Sequence, residues 1–189
     1  MQLLLIRHGQ ANYAACDTRG MVGPARDFAP LSDAGRRQAD KLAAGLDVSD
    51  VEMILSSPYT RALETAAALC RHTGLPLRVE VDLREWQPDT TCSGVQPSQA
   101  LYADFCRCRG IPPDGRTPAW ESIPAMNARV QRVFDAYLAQ GYQRLIAVTH
   151  GGVIRRLTGL GRVAHCQPYA VDYREGFAFF GWVEGSNRA

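Results

Sequence analysis

Leu3-Leu4-Leu5-Ile6-Arg7-His8-Gly9-Gln10 is an apolar run of strand length that stops abruptly at an arginine, a histidine and a glycine. A strand buried on both faces reads as a continuous hydrophobic run, and open α/β sheets carry their sites just beyond the strands' carboxyl ends. Gly9 lets the backbone turn sharply or approach a ligand closely. Arg7 supplies a planar fork suited to phosphate or carboxylate, and His8 supplies a nitrogen base or nucleophile. Taken alone, the segment is equally well a strand ending in ordinary surface charge. A second segment far down the chain, Val148-Thr149-His150-Gly151-Gly152, is built the same way and shifts the balance.

Between these two segments the chain alternates. Residues 11–30 have no clear period and read as a long loop, a length that inside a compact domain usually carries function. A helix starts near Ser32, which with Asp33 can cap it, and repeats Ala34, Ala39, Leu42, Ala43 and Leu46 at helical spacing. Residues 51–55 form a second apolar strand ending at Ser56-Ser57-Pro58. A helix over 59–72 follows, stopped by Gly74-Leu75-Pro76. Residues 77–81 read as a third strand with Glu85 beyond its end. Residues 86–121, which hold Pro88, Pro97, Pro112, Pro113 and Pro118, read as an inserted cap with a short helix near 98–108. A long helix over 122–138, a fourth strand over 144–149 and a helix from Gly151 come next. The tail reads as a hairpin, 169–173 and 177–182, turned at Glu175-Gly176. The expected fold is α/β: a three-layer sandwich whose central sheet is mainly parallel, with helices on both faces and an antiparallel edge hairpin at the C-terminus.

At 189 residues a second full domain would be cramped, so residues 1–189 are expected to form one domain with the cap at 86–121. A net charge of +2, without blocks of like charge, gives no sign of a nucleic-acid-binding surface. No apolar stretch approaches a membrane span, and the N-terminus lacks a basic leader, so the expectation is a cytoplasmic protein. The six cysteines fit neither a zinc-ligand spacing nor a disulfide framework and read as free thiols.

If the first, second and fourth strands are parallel neighbours, Arg7, His8, Arg61 and His150 meet over one crevice. Arg61 is telling, because a cation one turn into a helix opposes the helix dipole unless something anionic lies nearby. A phosphoryl group fits two arginines, two histidines and the N–H groups beyond Gly151, since it offers three oxygens and nearly two negative charges. One neutral histidine can attack phosphorus while the other bonds the transferring oxygens. A leaving alkoxide needs a proton, and Glu85 is the expected acid, with Asp82 and Asp89 as competitors.

The chain resembles the histidine phosphatase superfamily, the phosphoglycerate mutase-like group. Four blocks carry the likeness in order: residues 4–10, residues 27–39 around Pro30-Leu31-Ser32-Asp33-Ala34-Gly35, residues 56–66 around Ser57-Pro58-Tyr59-Thr60-Arg61, and residues 148–155 around Thr149-His150-Gly151. The likeness implies that His8 is the phosphorylated nucleophile, that Arg7, Arg61 and His150 hold the phosphate, and that Glu85 is the proton donor. It implies no metal and no organic cofactor. Ala14 stands where many members carry an asparagine, and Trp86-Gln87-Pro88-Asp89 replaces their Gly- and Trp-Glu-containing segment. Gln10, Asn12, Ser57 and Arg26 are expected to support these residues or reach the substrate. Arg26, Arg84, Arg107, Arg109 and Arg116 are either solvated or poised for a second anionic group.

The function expected is hydrolysis of a small-molecule phosphate ester. A mutase, a phosphoprotein phosphatase and a non-catalytic phospholigand-binding protein are the alternatives. A homodimer through an exposed hairpin edge is compatible with the sequence.

Overall fold

The structure, a computed structural model, describes residues 1–93 and 98–184. Among the described residues five strands form one sheet: β1 (Gln2–Arg7), β2 (Met53–Ser56), β3 (Leu77–Val79), β4 (Arg144–Thr149) and β5 (Pro168–Asp172). Their spatial order is β3-β2-β4-β1-β5. The first four run parallel, and β5 lies antiparallel along β1. β1 and β4 are buried through their middles, as their unbroken apolar sequences require.

Successive residues of a strand point to opposite faces, and the two cores follow that period. Leu3, Leu5, Leu55, Leu145 and Ala147 face one side. There they pack on α5 (Ile123–Ala139) and α6 (Gly151–Thr158) through Val130, Phe134, Val153 and Leu157. Leu4, Ile6, Ile54, Ile146 and Val148 face the other side. They meet α2 (Asp33–Gly45) and α3 (Thr60–Thr73) through Ala43, Ala62, Ala66 and Leu69. The result is the expected three-layer α/β sandwich. Ser32 and Ser122 cap α2 and α5 by accepting from the N–H of Gly35 and Ala125. Gly74 closes α3 at φ 72°.

Three expectations are corrected. The loop over 11–30 contains a short helix α1 (Ala14–Asp17) and a 3-10 turn (Gly23–Phe28). The third strand is only three residues long and exposed, because the chain then winds into a 3-10 turn (Val81–Leu83) that buries Leu83. The tail turns at Glu175-Gly176 as read, but residues 177–182 form no returning strand. Their backbone is claimed by α6 instead. Phe180 N–H donates to the Arg156 carbonyl at 2.8 Å, and the Arg156 guanidinium reaches the Gly181 carbonyl. The antiparallel edge is therefore β5 alone.

Within 86–121, helix α4 (Ser98–Arg107) packs Leu101 and Phe105 with Trp120 and Ile123 as a small separate core. Pro97 lies outside the described residues.

Candidate active site

The adjacency of β1, β4 and β2 brings their carboxyl ends together. His8 N–H donates to the Thr149 carbonyl at 3.0 Å, and Ser57 N–H donates to the Val148 carbonyl at 2.9 Å. The turn after β1 is pressed against the start of α2. A Cβ on Gly9 would stand 2.6 Å from the Gly35 carbonyl oxygen, and one on Gly35 would stand 2.1 Å from that of Gln10. Two glycines are therefore required for this approach of backbone to backbone. Thr65 stitches the turn to α3, accepting from Gly9 N–H at 3.1 Å and donating to the Arg61 carbonyl at 2.8 Å.

His8 is 6% exposed. Its Nδ1 lies 2.7 Å from the Gly9 carbonyl oxygen, an acceptor only, so Nδ1 carries the proton and Nε2 keeps the lone pair. Burial, then the charge of Arg61, holds its pKa well below the ordinary histidine value despite the opposing Gly9 bond. His150 ends β4 and precedes α6. Its ring centroid is 5.0 Å from that of His8, and its Nε2 is 2.7 Å from Ser57 Oγ. Burial, then His8 and Arg61, lowers its pKa as well. The histidine pair is neutral.

Both arginines are held with donors to spare. Arg61, the second residue of α3, is 4% exposed. Its terminal nitrogens lie 3.4 Å from Asp27 Oδ1, beyond a strong ion-pair contact, and the Tyr59 ring lies 4.9 Å beneath the guanidinium. Arg7 donates to the Val163 carbonyl at 2.8 Å. The Nε atoms of Arg7 and Arg61 and the Nδ1 of His150 are buried without a hydrogen-bond partner among the described residues. Unpaired buried polar atoms are costly, and an anion in this crevice would accept from the two arginine nitrogens.

Glu85 reaches this crevice by a separate route. Buried Arg129 on α5 donates to the carbonyls of Asp82, Arg84 and Glu85. Its guanidinium is held bidentately by buried Glu121 at 2.6 and 2.8 Å. That clamp fixes the backbone on either side of Glu85. The Glu85 carboxylate then accepts from Gly152 N–H at 3.0 Å, in the first turn of α6, and from Trp86 N–H at 2.9 Å. A Cβ on Gly152 would stand 2.2 Å from Glu85 Oε1, so glycine there is what admits the carboxylate.

A cavity of about 710 Å³ opens from this point, with Arg61, Glu85, Asp27, Tyr59, Tyr13 and Trp86 among its walls. The Tyr59 ring in its wall lies 5.1 Å from the His150 ring, centroid to centroid.

Of the residues expected at the site, Arg7, His8, Arg61, Glu85, His150 and Gly151 converge, and Ser57 touches His150. Arg26 lines the cavity but is paired with Asp17 and lies over the Tyr13 ring at 5.1 Å. Gln10 is turned away, accepting from Ser32 Oγ at 2.8 Å, and Asn12 N–H donates to the Pro30 carbonyl. Neither lines the cavity. Arg84 is spent on Asp82, and Arg107 and Arg116 both pair with Asp104.

Sequence reading missed Asp27, Tyr59, Thr65, the Glu121–Arg129 clamp and His165. The His165 ring is 5.6 Å from that of His8, and burial beside Arg7 lowers its pKa to about 4. Asp27, Tyr59 and Thr65 lie inside the blocks at 27–39 and 56–66, which were the signal that could have found them, whereas His165 and the Glu121–Arg129 pair lie outside all four blocks. Among the described residues no cluster of three or more His, Cys, Asp or Glu converges as a metal site. No helix among them is long and apolar enough to cross a membrane.

Comparison with known proteins places the chain in a family. The family model "Histidine phosphatase superfamily (branch 1)" matches residues 3–164. A glucosyl-3-phosphoglycerate phosphatase from Mycolicibacterium vanbaalenii is 32% identical over 167 residues, covering 83% of this chain and 72% of the relative. The adenosylcobalamin/alpha-ribazole phosphatase of Escherichia coli is 30% identical over 173 residues, covering 85% and 80%. A mycobacterial glucosyl-3-phosphoglycerate phosphatase solved with inorganic phosphate superposes with a TM-score of 0.68 over 98% of this chain and 97% of that one. At 24% identity it speaks for the fold alone.

Proposed function

Because this chain belongs to the histidine phosphatase superfamily and is a phosphatase of that type, we propose that it hydrolyses a small phosphorylated metabolite through a phosphohistidine on His8. The observation that carries the reading is the state of His8: a neutral imidazole with Nδ1–H bound to the Gly9 carbonyl, leaving Nε2 as a nucleophile amid unpaired arginine donors. Nε2 attacks phosphorus, the P–O bond to the alcohol breaks, and the alkoxide takes a proton from Glu85. Water then gives a proton back to the Glu85 carboxylate and attacks phosphorus, breaking P–N and releasing phosphate.

Arg7, Arg61 and the N–H groups at the start of α6, beginning at Gly151, hold the equatorial oxygens. His150 joins them as a donor through Nδ1, which requires its Nε2 to accept from the Ser57 hydroxyl. No metal takes part in this scheme. Residues 1–189 act as one domain, and residues 86–121, through Trp86, Pro88 and Asp89 in the cavity wall, cap the substrate end.

The test is phosphate release from a panel of phosphomonoesters, with alkali-quenched trapping of labelled protein that is then challenged with acid. An acid-labile, alkali-stable label that vanishes with release in His8→Ala is the expected result. Full release by His8→Ala would overturn the reading.

A further inference from the structure

Three of the chain's four histidines converge, and the scheme above uses two of them. The third, His165, lies between α6 and β5, in a stretch that the fold ties down on both sides of it. Before it, the Val163 carbonyl accepts from the Arg7 guanidinium at 2.8 Å, and the Val163 side chain is buried in the core on the α5 and α6 side. Ala164 N–H donates to the Tyr169 hydroxyl at 2.8 Å. After it, Cys166 N–H donates to the Arg7 carbonyl at 2.8 Å, and the Cys166 side chain packs with Leu31, Ala39 and Ala68. Cys166 stands at φ 50°, a left-handed value that a residue with a Cβ adopts only where its surroundings impose it. The backbone that carries His165 is therefore pinned to the strand end that carries the nucleophile.

The orientation of His8 depends on what its ring packs against. The bond from Nδ1 to the Gly9 carbonyl fixes one ring atom, but the torsion that rolls a histidine ring is broad, so one bond does not set the ring plane. Two other imidazoles lie on it: His150 at 5.0 Å with 60° between the planes, and His165 at 5.6 Å with 36°. His150 is tied in turn to Ser57, whereas the His165 ring makes no hydrogen bond among the described residues and meets His8 by packing. Burial, then Arg7, holds its pKa at about 4, so at neutral pH it is an uncharged ring. It sets no charge against the positive charge that His8 gains on attacking phosphorus.

We propose that His165 is a positioning residue for the nucleophile: its ring packs on that of His8 and fixes the roll of the imidazole, so that Nε2 is aimed at phosphorus. The inference rests on the phosphatase reading above and adds a residue to it. A reacting atom displaced by about 1 Å costs on the order of 10²-fold in rate, and removing one of two supporting rings allows a displacement up to that size.

The test compares His165→Phe, which keeps a ring, with His165→Gln, which keeps a polar group of similar reach; His165→Ala keeps neither. Single-turnover labelling of the protein from p-nitrophenyl phosphate, competitive inhibition by inorganic phosphate and the nitrogen chemical shifts of the His8 ring are measured for each. The expected result is labelling slowed about 10- to 10²-fold in the alanine and glutamine variants and within about threefold of wild type in His165→Phe, with phosphate inhibition changed less than about threefold throughout. Equal rates in all of them, or rescue by glutamine and not by phenylalanine, overturn the inference. So does a slowing matched by weaker phosphate inhibition, which would place His165 on the phosphate itself. The phenylalanine and glutamine variants decide the matter even where the alanine variant does not fold. If the wild type releases phosphate without His8, the phosphatase reading falls and the His8 nitrogen shifts decide alone. A single Nδ1–H tautomer in the wild type and His165→Phe that becomes mixed in His165→Gln sustains the positioning role, and an unchanged tautomer overturns it.

Discussion

Replacing Gly152 by alanine tests the coupling of Glu85 to α6. Gly152 lies inside the first turn of α6 without a left-handed backbone, so alanine suits the local conformation, and its intrinsic helix preference over glycine is about 1 kcal/mol. The obstacle is one atom: the new Cβ would stand 2.2 Å from Glu85 Oε1, and 3.4 Å from Oε2. Because that oxygen ends a flexible side chain, the carboxylate yields and the backbone does not. Relief of the clash needs a displacement of about 1 Å, and a misplacement of that size costs on the order of 10²-fold in rate. It also stretches or breaks the 3.0 Å bond from Gly152 N–H.

The fall must depend on the leaving group, since proton donation matters most for a poor one. With an alkyl phosphate, kcat/KM of Gly152→Ala should drop about 10²-fold, within the range by which a positioned general acid accelerates such a step. With p-nitrophenyl phosphate, whose phenolate leaves unassisted, the drop should be below about tenfold. Steady-state kinetics on both esters, with a thermal melt to show an intact fold, decides it. Equal losses on the two esters, or none on either, would refute Glu85 as the proton donor.

Three further outcomes are expected. Arg129→Met should destabilise the chain by about 3–5 kcal/mol in urea unfolding, because Glu121 is left buried and uncompensated, and adding Glu121→Leu should restore much of that loss. His8 and His150 have folded pKa values depressed below the ordinary value of roughly 6.5, so the unfolded chain binds more protons below that pH. Stability is thus full above about pH 6.5 and declines as pH falls toward 5, and a melting series should show a shallower decline in His150→Gln. Asp27 competes with phosphate for Arg61, so Asp27→Asn should tighten competitive inhibition by inorganic phosphate about three- to tenfold; weaker inhibition would mean that Asp27 instead positions the guanidinium.

What could be read from the chain followed from local physics. The run Leu3 to Ile6 could only be a strand buried on both faces, and its end at Arg7-His8-Gly9 put reactive groups at a sheet edge. The same pattern at His150, and the cation at Arg61 opposing its own helix dipole, pointed to an anion before any coordinates. Ser32 and Gly74 announced helix ends because caps and left-handed turns are properties of one or two residues. The tail was misread for the complementary reason. Residues 177–182 have a strand-like composition, yet whether they pair with β5 or lie along α6 depends on which backbone groups α6 leaves open.

The sequence by itself determined the elements and the types of side chain delivered to the carboxyl edge of the sheet, because propensity, period and capping act over a few residues. The strand order that makes His8 and His150 neighbours at 5.0 Å was decided by tertiary structure. So were the Arg129–Glu121 clamp behind Glu85, the sharing of Arg61 with Asp27, and the neutralisation of Arg26 and Arg116. Each of these is a contact between residues distant in the chain or a choice among several possible partners. Charge pairing and burial depend on separation in space, and no pattern along a single chain fixes that distance.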